Sequence, residues 1–382
     1  MKNIPKLVLL TLLLLAMTTM MSNVAIVTSL PHLKEYFTQV NNIEFYSRLM
    51  LTLPSFVIAL LAPFLGHFVF RFGKKRSALI ALFFFSLFGT AGLYLDSMET
   101  LLASRALFGL SVATLMIVST SLIGDYFKEE ERHKFMGYQS AFMAIGGVFF
   151  VIGGGILSDI NWRLPFGIYF IGLILLPLVY INLKEVVIEE TKEEESIHLG
   201  KNILIVYFLA FFYMLVFFIL PTQIPFLLLE KFKTTGSFAG VIISVAFFCN
   251  ALGAIAFSKL KPKFSYATIY ISSLGLIALG FTIVGLINNV FFFFITSPIL
   301  GFSGGVMMTN VTAWMLSKTT FKKRVKSSGY FTSCLFLGQF SSPIIFHPLI
   351  NIFEIQDFFL VIGLGLLTIT TIAVISKKFI LK

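Results

Sequence analysis

Apolar runs of about 18 residues or more recur along this chain from end to end, each long enough to cross a bilayer as a helix. A single run of this kind could be a buried core helix. A dozen of them in 382 residues leave too little polar surface to cover a soluble core. The spans fall near residues 7–31, 47–70, 77–95, 101–123, 136–157, 166–183, 202–229, 237–258, 266–287, 290–316, 328–350 and 357–376. Only 12% of the residues are charged, about half the share in soluble domains. The expected fold is therefore all-α and integral to a membrane, with twelve transmembrane helices.

The 29 Lys and Arg orient those spans. Both termini and alternate loops hold 23 of them. The opposite loops hold Lys34, Arg48, Arg163, Lys231 and Lys233, and Arg105 alone remains. Cations collect on the cytoplasmic side of a membrane protein. Both termini are thus expected in the cytoplasm, in a multi-pass protein of the cytoplasmic (inner) membrane. The loop lysines account for the net charge of +11, so no nucleic-acid partner is implied. The first run is too long for the h-region of a cleaved signal peptide and lacks a small-x-small exit. Cys249 and Cys334 fall inside spans and read as packing residues.

The longest polar gap, LKEVVIEETKEEESIHLGK, separates six spans from six. It divides the chain into an N-terminal bundle at 1–183, a cytoplasmic linker at 184–201 and a C-terminal bundle at 202–382. The halves repeat. At a shift of 192, Gly109 falls on Gly301, Ser111 on Ser303, Arg132 on Arg324, Gly137-Tyr138 on Gly329-Tyr330 and Gly146 on Gly338, while Arg105 falls on Ser297. At a shift of 187, Gly66 and Phe70 fall on Gly253 and Phe257. Paired six-helix halves enclosing a midplane site are a common plan of secondary transporters.

Several motifs carry a resemblance. The loop GHFVFRFGKKR, with Gly66, Arg71, Gly73 and Lys74, resembles the G-x-L-x-D-R-x-G-R-K loop of the major facilitator superfamily, with Phe70 where the family has an acid. Arg105-x-x-x-Gly109 is similar to the family's R-x-x-x-G. Gly146, Gly154 and Gly155 stand in the phase of its antiporter motif, with Phe150-Val151 in place of the central Gly-Pro. Trp162-Arg163 resembles the W-R that follows this motif in drug exporters. NVAIVTSLP at the end of span 1 is similar to the D-x-T-x-x-x-A-L-P of drug/proton antiporters, with Asn23 replacing the acid. The resemblance covers essentially the whole chain.

No carboxylate lies well inside a span, and the lone mid-span cation is Arg105. Arginine does not release its proton, so it cannot be a titrating group. The candidates that could are His347 in span 11, His67 near the inner end of span 2, and the rim acids Asp159, Glu230 and Asp357. Polar groups in lipid must face the bundle interior or find partners. On that ground Asn23, Arg105, Asn250 and Gln339 are expected to line a substrate cavity, and Gln139, Gln223 and His347 are gate or coupling candidates. Arg105 could alternatively snorkel to the outer headgroups, and His347 could be a packing residue. Pro221 and Pro225 flank Gln223, so span 7 is expected to kink. Gly109, Gly146, Gly154 and Gly155 read as helix-packing glycines. There is no metal-spaced Cys/His cluster, phosphate loop or nucleophile elbow, so neither a metal nor a cofactor is expected and an enzyme is not.

What the resemblance implies is a monomeric alternating-access carrier. It moves a small-molecule cargo across the lipid bilayer and exports amphipathic molecules, with protons as the candidate counter-ion. The alternative is a metabolite carrier for an organic anion or sugar-like solute, working as facilitator or symporter. A third is a transporter-like sensor that moves nothing.

Overall fold

A computed structural model describes residues 4–127, 129–184, 201–319 and 324–380. The chain divides into two compact units, Met1–Gly200 and Lys201–Lys382. The residues between 185 and 200, which hold most of the expected linker, lie outside the described residues. So do the side chains of Asn23, His67 and Phe70.

The first unit is built from α1 (Lys6–Val24), α2 (Leu33–Tyr36), α3 (Ile43–Phe72), α4 (Lys74–Gly89), α5 (Met98–Tyr126), α6 (Glu129–Ile160) and α7 (Ile171–Asn182). The second comprises α8 (Lys201–Phe217), α9 (Ile219–Phe226), α10 (Gly236–Leu260), α11 (Tyr266–Leu286), α12 (Phe293–Ser317), α13 (Arg324–Ile352) and α14 (Ile355–Ile380). There is no strand among the described residues. That is what hydrocarbon demands, since a helix satisfies its own backbone donors and acceptors where water cannot. Among the described residues, twelve helices are long and apolar enough to cross a membrane, six in each unit.

Helix starts follow local capping. The Ser97 hydroxyl accepts from the Thr100 amide, Thr235 from Phe238 and Ser265 from Thr268. Gly73 separates α3 from α4 with φ at 90°, a conformation that costs glycine little and other residues much. Two boundaries differ from the sequence expectation. α3 begins at Ile43, four residues before the expected start, so Glu44 belongs to a helix and not to a loop. Span 6 opens as a 3-10 segment at Leu164–Phe170, before α7 takes over. Span 7 is interrupted, as its prolines lead one to expect. α8 stops at Phe217, α9 carries Pro221 and Pro225, and a π-helical turn follows at Leu227–Lys231.

The two units share one packing scheme. In the first, α3 and α4 pack on α5, α1 on α6, and α4 on α7. In the second, α10 and α11 pack on α12, α8 on α13, and α11 on α14. The repeat holds at single residues. A Cβ on Gly109 would meet the Pro54 backbone at 2.7 Å, and a Cβ on Gly301 would meet Ala246 O at 2.0 Å. Pro54 and Ala246 are themselves 192 positions apart, the shift that relates the two glycines. On α6, Gly146 abuts Met17 and Gly154 abuts Ala25 O. These glycines let neighbouring backbones approach as closely as transmembrane packing needs.

One consequence is measurable. Gly301→Ala is expected to lower stability by about 2 kcal/mol, because its methyl has only backbone to displace. Gly275→Ala, on α11 with nothing within 4 Å, should be neutral or slightly stabilising. Thermal unfolding of the two purified variants in one detergent checks the contrast.

Candidate functional site

Arg105 sits in the second turn of α5 with no exposed surface. Its Nε donates to Met50 O of α3 and its Nη2 to Ser22 O of α1, both at 3.2 Å. The guanidinium lies 4.3 Å from the Phe108 ring centre and 5.4 Å from that of Tyr169. Tyr169 Oη donates to the same Ser22 carbonyl at 3.1 Å. Four elements therefore meet on one cation: α1, α3, α5 and the 3-10 segment before α7. Carbonyl dipoles and ring faces, with no carboxylate among them, hold the charge. Nη1 is buried without a hydrogen-bond acceptor among the described residues. With no exposed surface, Arg105 neither snorkels to the outer headgroups nor presents its guanidinium to a cavity wall as expected, because backbone carbonyls and aromatic rings enclose it. At the equivalent place in the second unit Ser297 is buried, so this node belongs to one half only.

A second charge centre closes the basic-loop end of the first unit. Lys74 Nζ donates to Asp125 Oδ2 at 2.6 Å, and each side chain is only 4% exposed. The motif loop thus clamps the start of α4 to the last turn of α5. Arg71, at the end of α3, stays exposed. A double-mutant cycle with Lys74→Met and Asp125→Leu is expected to return a coupling of about 2 kcal/mol in thermal unfolding.

At the opposite end, Arg163 ties three loops. Its Nη1 donates to Gly92 O at 3.0 Å and Leu95 O at 2.9 Å, and its Nη2 to Tyr36 Oη at 3.0 Å and to Asp96. The Trp162 ring lies 4.5 Å from the guanidinium. The Trp162-Arg163 pair is therefore a latch within the unit.

In the second unit, Gln339 is buried on α13, and its Nε2 has no acceptor among the described residues. Asn250 is half-buried on α10. Gln223 is buried in the interrupted span 7. His347 Nε2 lies 3.3 Å from Asn351 Nδ2, one turn along α13. Tyr213 Oη donates to Gly304 O at 3.0 Å. In the first unit, Gln139 is half-buried on α6. Asn23 follows Ser22 directly, which puts it beside the carbonyl that both Arg105 and Tyr169 use. Phe257, the counterpart of Phe70 at the shift of 187, packs with Ile269 and Val306 in its own unit's core.

Two residues escaped the sequence reading. Asp125 stands at the end of an apolar run and looks like a loop charge. Its partner is 51 positions away, and no local pattern joins them. Arg48, counted as a loop cation, is fully buried and 3.4 Å from Glu44. The i, i+4 spacing of that pair was a usable signal.

Comparison with known proteins extends these observations. The sequence profile described as Major Facilitator Superfamily matches residues 12–226 and 206–378. Multidrug resistance protein 2 of Bacillus subtilis (strain 168) is 31% identical over 226 residues, covering 53% of this chain and 54% of that protein. Multidrug resistance protein 1 of the same organism is 39% identical over 114 residues, 28% of each chain. Quinolone resistance protein NorA of Staphylococcus aureus is 31% identical over 116 residues, 30% of this chain and 29% of that one. The matches thus span between about a quarter and a half of these relatives. Among solved structures, a bacterial homolog to the human lysosomal transporter Spinster, inward-facing and occupied, superposes with a TM-score of 0.73 at 17% identity, covering 97% of this chain and 95% of that one. The human organic anion transporter MFSD10 superposes with a TM-score of 0.69 at 14% identity over 97% of this chain and 99% of that one.

Proposed function

The chain belongs to the major facilitator superfamily, and from that premise we propose that it exports small amphipathic molecules by alternating access, with proton antiport as the driving reaction. The observation that carries this reading is the 226-residue match to Multidrug resistance protein 2, at 31% identity. The family is one of membrane transporters and not of enzymes. The distribution of loop cations supports cytoplasmic termini and an inner-membrane location. A monomer suffices, because the family plan encloses its site between the halves of one chain.

Within this reading Asn23, Asn250 and Gln339 contact cargo, and Arg105 acts as a positioning residue from behind Ser22. The buried, unmatched Nε2 of Gln339 supports a ligand-facing donor in the second unit. Gln139, Gln223 and His347 are the gate and coupling candidates, and the broken helix around Gln223 supports a movable element there. His347 is the histidine on α13, the group there whose ordinary range suits carrying a proton near neutral pH.

A second reading is favoured by one observation. All 18 carboxylates lie in loops or near span ends, while Arg105 is buried with no carboxylate bonded to it among the described residues. That charge pattern suits an organic anion or a neutral sugar-like solute. The two readings differ in direction. Deleting an exporter raises the cellular content of a cargo such as a fluorescent amphiphile, and deleting an importer lowers it. Accumulation measured in expressing and deleted cells, with and without an uncoupler, decides between them. Unchanged accumulation of every cargo, with the protein present in the membrane, contradicts both.

A further inference from the structure

The first unit carries an apolar groove of about 460 Å³ between α3, α4 and α5 that the transport reading does not use. Its walls include Phe68 and Phe72 of α3, Ile80 and Phe84 of α4, and Leu107 and Leu110 of α5, all well exposed. Ser111 donates to Leu107 O and Thr114 to Leu110 O, so two of the wall's hydroxyls are satisfied within their own helix. Along α4 the wall runs from Ser77 to Phe88, about 16 Å of helix. Such a surface in a membrane-spanning unit meets hydrocarbon, not water.

Two arginines outside the lining flank the basic-loop end of the groove. Arg71 stands one helical turn beyond Phe68, and Arg76 one turn before Ile80. Both are exposed, whereas Lys74 between them is committed to Asp125. An apolar trough that ends at two exposed guanidinium groups complements a molecule with an acyl chain at one end and a phosphate at the other. Guanidinium groups bind phosphate through parallel N–H donors. Lipid-facing helices need no such trough to be solvated by bulk lipid, so the combination points to a site.

We propose that this groove is a binding site for an anionic phospholipid of the leaflet on the basic side. One acyl chain lies between α3 and α4, and the headgroup phosphate rests on Arg71 and Arg76. The site rests on the membrane-spanning architecture and is independent of cargo and direction. Its occupant would bear on the same α4–α5 end that the Lys74–Asp125 pair clamps.

The test uses the full chain in vesicles of phosphatidylcholine containing a minor fraction of phosphatidylglycerol with brominated acyl chains. Bromine quenches tryptophan on contact. Phe84→Trp reports from the groove. Leu276→Trp is the control, on the equivalent helix α11, ten residues from its start and 40% exposed against 39% for Phe84. The unmodified protein supplies the background from Trp162 and Trp314. The expected result is quenching at Phe84→Trp that corresponds to roughly tenfold enrichment of the anionic lipid over its mole fraction, with quenching at Leu276→Trp matching the mole fraction. Arg71→Gln with Arg76→Gln should bring the groove reporter down to the control. Mole-fraction quenching at both reporters overturns the site. Enrichment that survives the double substitution overturns the assignment of the headgroup to the two arginines. Neither result depends on whether the protein moves any cargo.

Discussion

Arg105→Ala is expected to abolish transport while leaving the protein in the membrane. The guanidinium bonds carbonyls on α1 and α3 from a position on α5, under the rings of Phe108 and Tyr169. Each such charge-assisted bond contributes about 1.5–3 kcal/mol, and truncation also leaves the Met50 carbonyl without this donor. A loss of about 4 kcal/mol follows, concentrated where α1, α3 and α5 converge. Ser22 keeps Tyr169 as a donor, so the unit should still fold. Arg105→Lys should rescue poorly. A single ammonium at the end of a flexible stem cannot reproduce a planar fork that reaches two helices. Surface biotinylation measures insertion, and a cargo flux assay measures function. Wild-type flux in Arg105→Ala would show that the node is dispensable to the transport cycle.

The second large effect concerns charge selection. A permanent cation leaving water needs an opposite charge or an aromatic cage. The chain offers no mid-span carboxylate, and the charge buried near the start of α5 is positive. A cation held about 6 Å from Arg105 at an effective dielectric near 20 would be repelled by roughly 3 kcal/mol, or about two decades of affinity. Neutral, zwitterionic and anionic cargo should therefore be preferred over quaternary ammonium dyes. Asn23→Asp adds a carboxylate next to Ser22, whose carbonyl already receives Arg105. It should raise the affinity for cations toward that two-decade limit or introduce a new pH dependence of transport. Unchanged selectivity and unchanged pH dependence in Asn23→Asp would separate Asn23 from the cargo path.

The architecture was legible because hydrocarbon imposes a simple rule. Every span must be a long apolar helix, so twelve runs give twelve spans, and only their ends move. The start of α3 moved because Glu44 and Arg48 satisfy each other one turn apart, which lets a charged turn be helical. The repeat was legible in glycines such as Gly109 and Gly301, whose reason is steric and local to a helix pair. Arg105 was legible as an anomaly, a charge where lipid should exclude it. Its partners were not, because backbone carbonyls leave no mark in a sequence. The Lys74–Asp125 pair was hidden for a related cause. Both residues sit where loop charges are ordinary, and only the three-dimensional approach of α4 to the end of α5 buries them. The groove between α3 and α4 was equally hidden, since phenylalanines facing lipid and phenylalanines framing a trough read alike.

Paired flux in proteoliposomes decides whether this chain moves amphipathic molecules that are not cations. Purified protein is reconstituted, a pH gradient is imposed, and one organic anion and one quaternary ammonium dye of similar size are followed in parallel. The account requires saturable flux of the anion that collapses with the gradient, and little or no flux of the dye. Strong, saturable transport of the dye would contradict it, and would assign the missing negative charge to aromatic faces or to an acid at a span end such as Glu230 or Asp357.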